Sequence, residues 1–193
     1  SALTARFLET GHSVIGVGTS SAHPEFMGRN GFTWISADTT REGDWQAAAA
    51  SADIIVNLAG RTIFRYWTPG YKKAIYDSRI VTTKNIVNAL EEKRGQTLLT
   101  TSAVGIYGDG GDRILTESDN PGNGFLSRVC RDWEDAGGKA GKKDVRVCVM
   151  RFGVVLGHGG ALTKMLPAFR MFLGGPLGSG QQWFPWIHIQ DIF

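Results

Sequence analysis

Cysteine, long apolar runs and concentrated charge are all scarce in this chain, and each scarcity removes a class of protein from consideration. The two cysteines, Cys130 and Cys148, form no CxxC spacing and stand beside no histidine cluster. Neither a zinc site nor a disulfide framework is expected, and none of the residues reads as a metal ligand. Cys148, within VRVCVMRFG, reads as a small buried strand residue. No apolar run is long enough to span a bilayer and no secretory leader is legible, so a reduced cytoplasm is the expected setting and a membrane is not an expected partner. The formal net charge of +3 is spread along the chain. Its local basic clusters, YKK near residue 72 and GKAGKK near 139 to 143, read as solvated surface and not as a nucleic-acid footprint. Internal repeats and low-complexity linkers are absent as well.

What the chain does have is an ordinary globular balance, 42% hydrophobic and 20% charged over 193 residues, enough for one well-packed domain. Its 26 glycines gather at the ends of segments, which implies tight turns and backbone passing close to something. SALTARFLETG reads as an amphipathic helix closed by Gly11, and HSVIGVG as a buried strand. FTWISAD follows as a strand, GDWQAAAASA as a helix and DIIVNLAG as a strand ending in a small-residue turn. YKKAIYDSRIVTTKNIVNALEEK reads as a long helix with a kink. Then come the strand QTLLTTSAV, the helix FLSRVCRDWEDAG, the strand VRVCVMRFGVVLG and a helix, ALTKMLPAFRMFLG, interrupted by Pro167. The closing GGPLGSGQQWFPWIHIQDIF suits a cleft loop entering a further element.

Apolar strands alternating with helices imply an α/β fold with a doubly wound parallel sheet covered on both faces. Folds of this kind that bind nucleotides begin with a strand and a glycine-rich turn. This sequence begins inside the helix that would follow them. It therefore reads as a fragment of a longer protein, the alternative being a complete domain whose first element is a helix.

The strings SALTARFLETGH, VNLAG (56 to 60), DSRIVTT (77 to 83), TSAVGIYG (101 to 108), FLSRVCRDWE (125 to 134), RFGVVLGHGGAL (151 to 162) and GGPLGSGQQWFPWIHIQDI (174 to 192) occur in one order over nearly the whole chain. Together they resemble the extended short-chain dehydrogenase/reductase superfamily, and within it the atypical epimerase family branch of NAD(P)-dependent epimerase/dehydratase-like proteins. The resemblance implies a Rossmann-like NAD(P)-binding domain over residues 1–173, lacking its first strand and glycine-rich turn. Residues 174–193 would form a cleft loop and the start of a truncated substrate-binding lobe.

The residues at the strand ends are then the candidates for ligand contact. An NAD site places an acid after the second strand of the fold to accept from the ribose hydroxyls, and that acid would repel a 2′-phosphate. Here Gly18, Thr19, Ser20 and Ser21 stand there instead, so NADP is expected over NAD, although Thr19 replaces an arginine common in the branch. Asp38 matches the acid that accepts from the adenine amino group, or else caps the turn before TTRE. Leu58, Ala59 and Gly60 resemble the small-residue turn that passes against the adenine ribose and pyrophosphate, while Asn57 reads as a structural pin. Arg79 is expected to reach cofactor or substrate, with a surface ion pair as the competing role.

Ser102 aligns with the catalytic hydroxyl at the strand end, or is a strand-ending hydroxyl satisfied by nearby backbone. The superfamily mechanism also needs Tyr-x-x-x-Lys on the next helix, where tyrosine exchanges a proton as hydride moves. In FLSRVCRDWE those positions hold Phe125 or Leu126 and Val129 or Cys130, none of which performs that exchange. The resemblance makes Tyr107 a turn residue that contacts ligand without being the base. It makes Arg151 to Val155, Gly153 and Val155 among them, the segment whose backbone holds the nicotinamide end. Residues Gly174 to Gly180 with Gln182, Trp183, Trp186 and His188 would wall the substrate cleft. His188 reads as a structural histidine or as an acid/base.

The expected function is an NADP-binding oxidoreductase or epimerase-like enzyme acting on an unknown small carbonyl or nucleotide-linked substrate. The alternative is a catalytically degenerate dinucleotide-binding protein with a redox-sensing or partner-binding role. An ordinary sugar-nucleotide epimerase is disfavoured by the missing tyrosine. Expected partners are a small-molecule substrate and, as the resemblance allows, a second copy in a homodimer.

Overall fold

A computed structural model describes residues 1–92, 94–157, 159–176 and 178–192. Contacts between Cα atoms divide the chain into two units, Ser1–Thr101 with Asp132–Val149 and Ser102–Arg131 with Met150–Phe193. The chain alternates α1 (Ala2–Glu9), β1 (Val14–Gly18), β2 (Phe32–Ser36), α2 (Trp45–Ser51), β3 (Ile54–Asn57), α3 (Pro69–Ala89), β4 (Thr97–Ala103), α4 (Phe125–Gly138), β5 (Arg146–Phe152), β6 (Val154–Leu156), α5 (Ala161–Arg170) and β7 (Trp186–His188). It is the α/β order expected from the apolar runs. β1 pairs with β2, β3 with β4, and β6 with β7, all in parallel.

Among the described residues the strands form the ladders β1-β2, β3-β4-β5 and β6-β7. β1 and β3 are therefore each the edge of a separate ladder, and Ile15 and Ile54 on them are about half exposed, at 46% and 50%. The expectation that HSVIGVG is a buried strand is corrected, since no residue of β1 is fully buried. Cys148 is also corrected: it is exposed, on β5 between half-buried Val147 and exposed Val149. The expected fifth strand is two strands, broken at Gly153. Val154 N–H donates to Pro185 O at 2.9 Å, and a Cβ on Gly153 would stand 2.5 Å from that oxygen. The long α3 is one continuous helix, opened by Thr68, whose hydroxyl accepts from Tyr71 N–H, and by Pro69 in its first turn. Pro167 lies within α5 without ending it.

The core of the first unit gathers Trp45, Ile86, Val87, Leu90, Leu98, Ala140 and Val145, with Val17, Ile35, Ile55 and Val147 against it. α3 supplies Ile86 and Val87 from its last turns and Leu90 caps it, and β4 sets Leu98 against them. Buried Gln96 closes the neighbouring helix end. Its Nε2 donates to the carbonyls of Ala49, Ala50 and Ala52 at 2.6 to 3.1 Å, where α2 runs out of internal donors.

Leu98 is completely buried in this cluster, so Leu98→Ala removes apolar contact and leaves a cavity. A loss of about 2–5 kcal/mol in unfolding free energy is expected, read from urea denaturation at constant m-value.

Candidate functional site

A stripe of polar side chains on α3 organises the first unit. Thr82, Thr83 and Asn85 are buried in the middle of the helix, where unsatisfied polar groups would be costly. Each is spent on a loop at the end of a strand. Thr82 Oγ1 is 3.0 Å from Thr39 Oγ1, and Asn85 Nδ2 donates to Thr39 O at 3.0 Å, so the loop after β2 is tied to the helix. Thr83 Oγ1 accepts from Asn57 Nδ2 and from Trp133 Nε1, each at 2.8 Å, and donates to Arg79 O at 2.6 Å. One hydroxyl oxygen thus joins the end of β3, α3 and α4. Asn57 completes the link, accepting from Ala59 N–H at its Oδ1 and from Thr101 Oγ1 at its backbone carbonyl. The structural role expected of Asn57 is what it has here.

The turn beyond Asn57 is clamped from the same helix. Ser78 Oγ accepts from Arg61 N–H at 2.9 Å, and Arg79 Nη1 donates to Arg61 O and Ile75 O, each at 3.1 Å. The Arg79 guanidinium also lies over the Trp133 ring, 5.3 Å from its centroid. Gly60 has no room for a side chain, since an added Cβ would sit 2.9 Å from that guanidinium. Arg79 is therefore engaged with the backbone and the indole, and its visible work is to hold residues 60 and 61. Leu58 is 54% exposed and Gly60 is exposed, with Ala59 half-buried between them. The turn presents its surface while its base is fixed.

Gly18 closes β1 under the Trp34 ring, whose Nε1–H donates to Ser20 O at 2.9 Å. Thr19, Ser20 and Ser21 are exposed beyond it. Asp38 Oδ1 accepts from both the amide and the hydroxyl of Thr40, at 3.0 and 2.7 Å. The hydroxyl bond, then the amide bond, holds its carboxyl below the usual carboxylate range. This is the turn cap weighed for Asp38 in the sequence. Its Oδ2 carries no hydrogen bond among the described residues and stays available to a donor.

In the second unit Ser102, near the end of β4, is buried at 4% exposure. The chain then enters a 3-10 turn, Val104–Tyr107. Ser127 Oγ donates to Gly105 O at 3.0 Å, and Gly122 N–H to Ile106 O at 2.8 Å. Arg151 Nη1 donates to Tyr107 Oη at 2.7 Å and to Glu117 O at 3.0 Å. Val155 pairs with Ile187 between β6 and β7. His188 ends β7 exposed, its Nδ1 accepting from Gln190 N–H at 3.3 Å. Trp183 is 75% exposed and donates to Asp112 Oδ1 at 2.8 Å. Within the expected cleft stretch 174–180, Leu177 lies outside the described residues, as does His158 of RFGVVLGHGGAL. Thr83, Trp133 and Arg151 were not singled out as side chains from the sequence. The pair of adjacent threonines inside a helix that otherwise has to pack was the legible signal for the first.

A family model described as "NAD dependent epimerase/dehydratase family" matches residues 1–193. The chain is 46% identical over 156 residues to the "Epimerase family protein SDR39U1 homolog, chloroplastic" of Arabidopsis thaliana, covering 78% of this chain and 45% of that one. Against the crystal structure of human epimerase family protein SDR39U1 (isoform2) with NADPH it superposes with a TM-score of 0.77 at 33% identity, covering 99% of this chain and 62% of that one. UDP-glucuronic acid 4-epimerase of Bacillus cereus in complex with NAD gives 0.82 at 16% identity, with 99% and 66% covered, a likeness of fold alone. The chain spans about half the length of the curated relatives it matches, 45 to 48% of the first three.

Two substitutions test this geometry. Thr83→Val keeps the shape but strands the buried amide of Asn57 and the indole N–H of Trp133, at about 1–3 kcal/mol for each group, so a loss of about 2–5 kcal/mol is expected in chemical denaturation. Thr40→Val removes the stronger of the bonds that hold the Asp38 carboxyl down. Its titration should rise toward the ordinary aspartate value of about 3.9, followed by carboxyl NMR. Because the folded-state value is depressed, the stability that Asp38 contributes is present above the unfolded value and is lost as pH falls through the folded one. The wild type should therefore lose more stability than Thr40→Val across that acid range.

Proposed function

The chain belongs to the NAD dependent epimerase/dehydratase family, and from that premise we propose that it is an NADP-binding oxidoreductase or epimerase-like enzyme acting on a small carbonyl or nucleotide-linked substrate. The observation that carries the cofactor preference is the turn after β1. Thr19, Ser20 and Ser21 offer exposed hydroxyls there, and residues 18–21 contain no carboxylate to repel a 2′-phosphate. That donor set fits the phosphorylated ribose, and the NADPH in the human relative's structure is consistent with it.

Each unit has its own share in the proposal. In the first, Gly18 and Thr19 would hold the ribose phosphate, the open Oδ2 of Asp38 would accept from the adenine amino group, and Leu58, Ala59 and Gly60 would line the adenosine side. Arg79 would act on the ligand through the turn it holds at Gly60 and Arg61. In the second, Ser102 would meet the substrate oxygen, the backbone at Gly153 and Val155 would border the nicotinamide end, and Tyr107, Trp183 and His188 would contact substrate. When bound, the dinucleotide supplies or accepts hydride; the protein's part is to orient both reactants and to manage the proton. Two free cysteines accord with a reducing compartment such as the cytoplasm, and a homodimer is the assembly we infer.

A second reading, a catalytically degenerate dinucleotide-binding protein, draws on α4. Val129 and Cys130 stand where the family lysine would, at 1% and 6% exposure, and they pack instead of moving protons.

Fluorescence titration of the full-length protein separates the cofactors. NADPH should bind at least about tenfold tighter than NADH, a difference of about 1.4 kcal/mol, and Asp38→Asn should weaken both alike because it faces the adenine. Tighter binding of NADH would overturn the cofactor assignment.

A further inference from the structure

We propose that Tyr107, held by Arg151, is the proton carrier of this site and does the work that α4 lacks the residues to do. The inference rests on the oxidoreductase reading above. The four tyrosines of the chain have separate uses. Tyr71 Oη donates to Thr62 O at 2.7 Å and Tyr76 Oη to Asp132 Oδ2 at 3.0 Å, while Tyr66 is 90% exposed. Tyr107 receives a hydrogen bond from a cation. Its half-buried Oη accepts from Arg151 Nη1 at 2.7 Å and, among the described residues, donates to nothing. The guanidinium carbon lies 5.3 Å from the Tyr107 ring centroid, so the cation stands against the ring as well as at its oxygen.

The turn that carries the tyrosine is fixed on two further sides by the bonds from Ser127 and Gly122 to its carbonyls. Arg151 is itself braced by Glu117 O at 3.0 Å. A proton carrier needs such a hold on its heavy atom together with an unspent proton. The other hydroxyl of the segment, Ser102, is buried and suits orientation of a substrate oxygen better than proton exchange. His188 is exposed and has its Nδ1 occupied by Gln190 N–H.

The step balances as follows in the reducing direction. A substrate carbonyl carbon gains hydride from a reduced nicotinamide dinucleotide, forming a C–H bond, and its C–O π pair moves to oxygen. That oxygen takes the proton of Tyr107 Oη. Arg151 stays charged beside the phenolate oxygen through its Nη1–H bond, and Tyr107 regains a proton from solvent. Carbonyl is reduced to alcohol and dinucleotide is oxidised.

The test uses full-length protein, NADPH, and phenanthrenequinone and p-nitrobenzaldehyde as carbonyl probes. Tyr107→Phe should lower kcat by about 100-fold or more and abolish the solvent isotope effect, with KM little changed. Its NADPH dissociation constant should match the wild type, and the thermal midpoint of the cofactor-free protein should fall no further than in Arg151→Met, which loses the same bond. Arg151→Met should lower kcat in the same sense, and Arg151→Lys should restore part of it. A Tyr107→Phe variant as active as an active wild type overturns the proposal alone. So does one whose loss of rate is matched by a loss of NADPH affinity. A wild type that binds NADPH and reduces neither probe overturns the oxidoreductase reading, and the proposal falls with it.

Discussion

The hydroxyl of Thr83 is the point on which the first unit's loops depend. A buried oxygen that accepts two hydrogen bonds and donates a third has no slack, because moving any one partner strands a polar group away from water. Its neighbours Thr82 and Asn85 impose the same condition on Thr39. Two loops, one after β2 and one after β3, are therefore referenced to a single rigid helix. Ser78 and Arg79 extend that reference to Arg61. Any ligand that met these turns would find them already in place, and each turn ordered on binding would subtract from affinity. Burying polar groups in α3 supplies that fixity at a cost in core hydrophobicity.

Much of the fold was legible because apolar runs and their glycine ends are local signals. The element order and the α/β class follow from DIIVNLAG, QTLLTTSAV and similar segments without reference to anything distant. Ladder continuity is a different kind of fact. Nothing in HSVIGVG says whether a partner lies on its far side, and the ladders formed among the described residues leave Ile15 and Ile54 at edges. VRVCVMRFG reads as a buried strand, yet an apolar strand reads alike whichever face is covered, and Cys148 is exposed. The break at Gly153 depends on the approach of Pro185 O, more than thirty residues away, which no local pattern encodes.

The candidate site was legible in type more than in function. Asp38 admitted a cap and a ligand contact, and the geometry accommodates both, one carboxylate oxygen being committed to Thr40 and the other carrying no bond among the described residues. Arg79 reads in the sequence as reaching cofactor or substrate, or as half of a surface ion pair. Its observed carbonyl and indole partners turn it toward the chain itself, a choice that the planar, multi-donor guanidinium makes possible. The adjacent threonines are legible as an oddity in a helix that has to pack, but their task shows only in their burial and their partners.

α4 shows how one helix can keep its place in a fold while changing its work. Its buried face includes Val129, Cys130, Trp133 and Ala136, spaced as one side of a helix packed on a core. Polar duty on the same element goes to structure: Ser127 donates to the Gly105 carbonyl in one unit, and Trp133 donates to Thr83 in the other. A tyrosine and lysine four residues apart would need that face to open toward a reactant. α4 thus puts Ser127 and Trp133 to positioning, one at the turn before Tyr107 and the other, through Thr83, at Asn57.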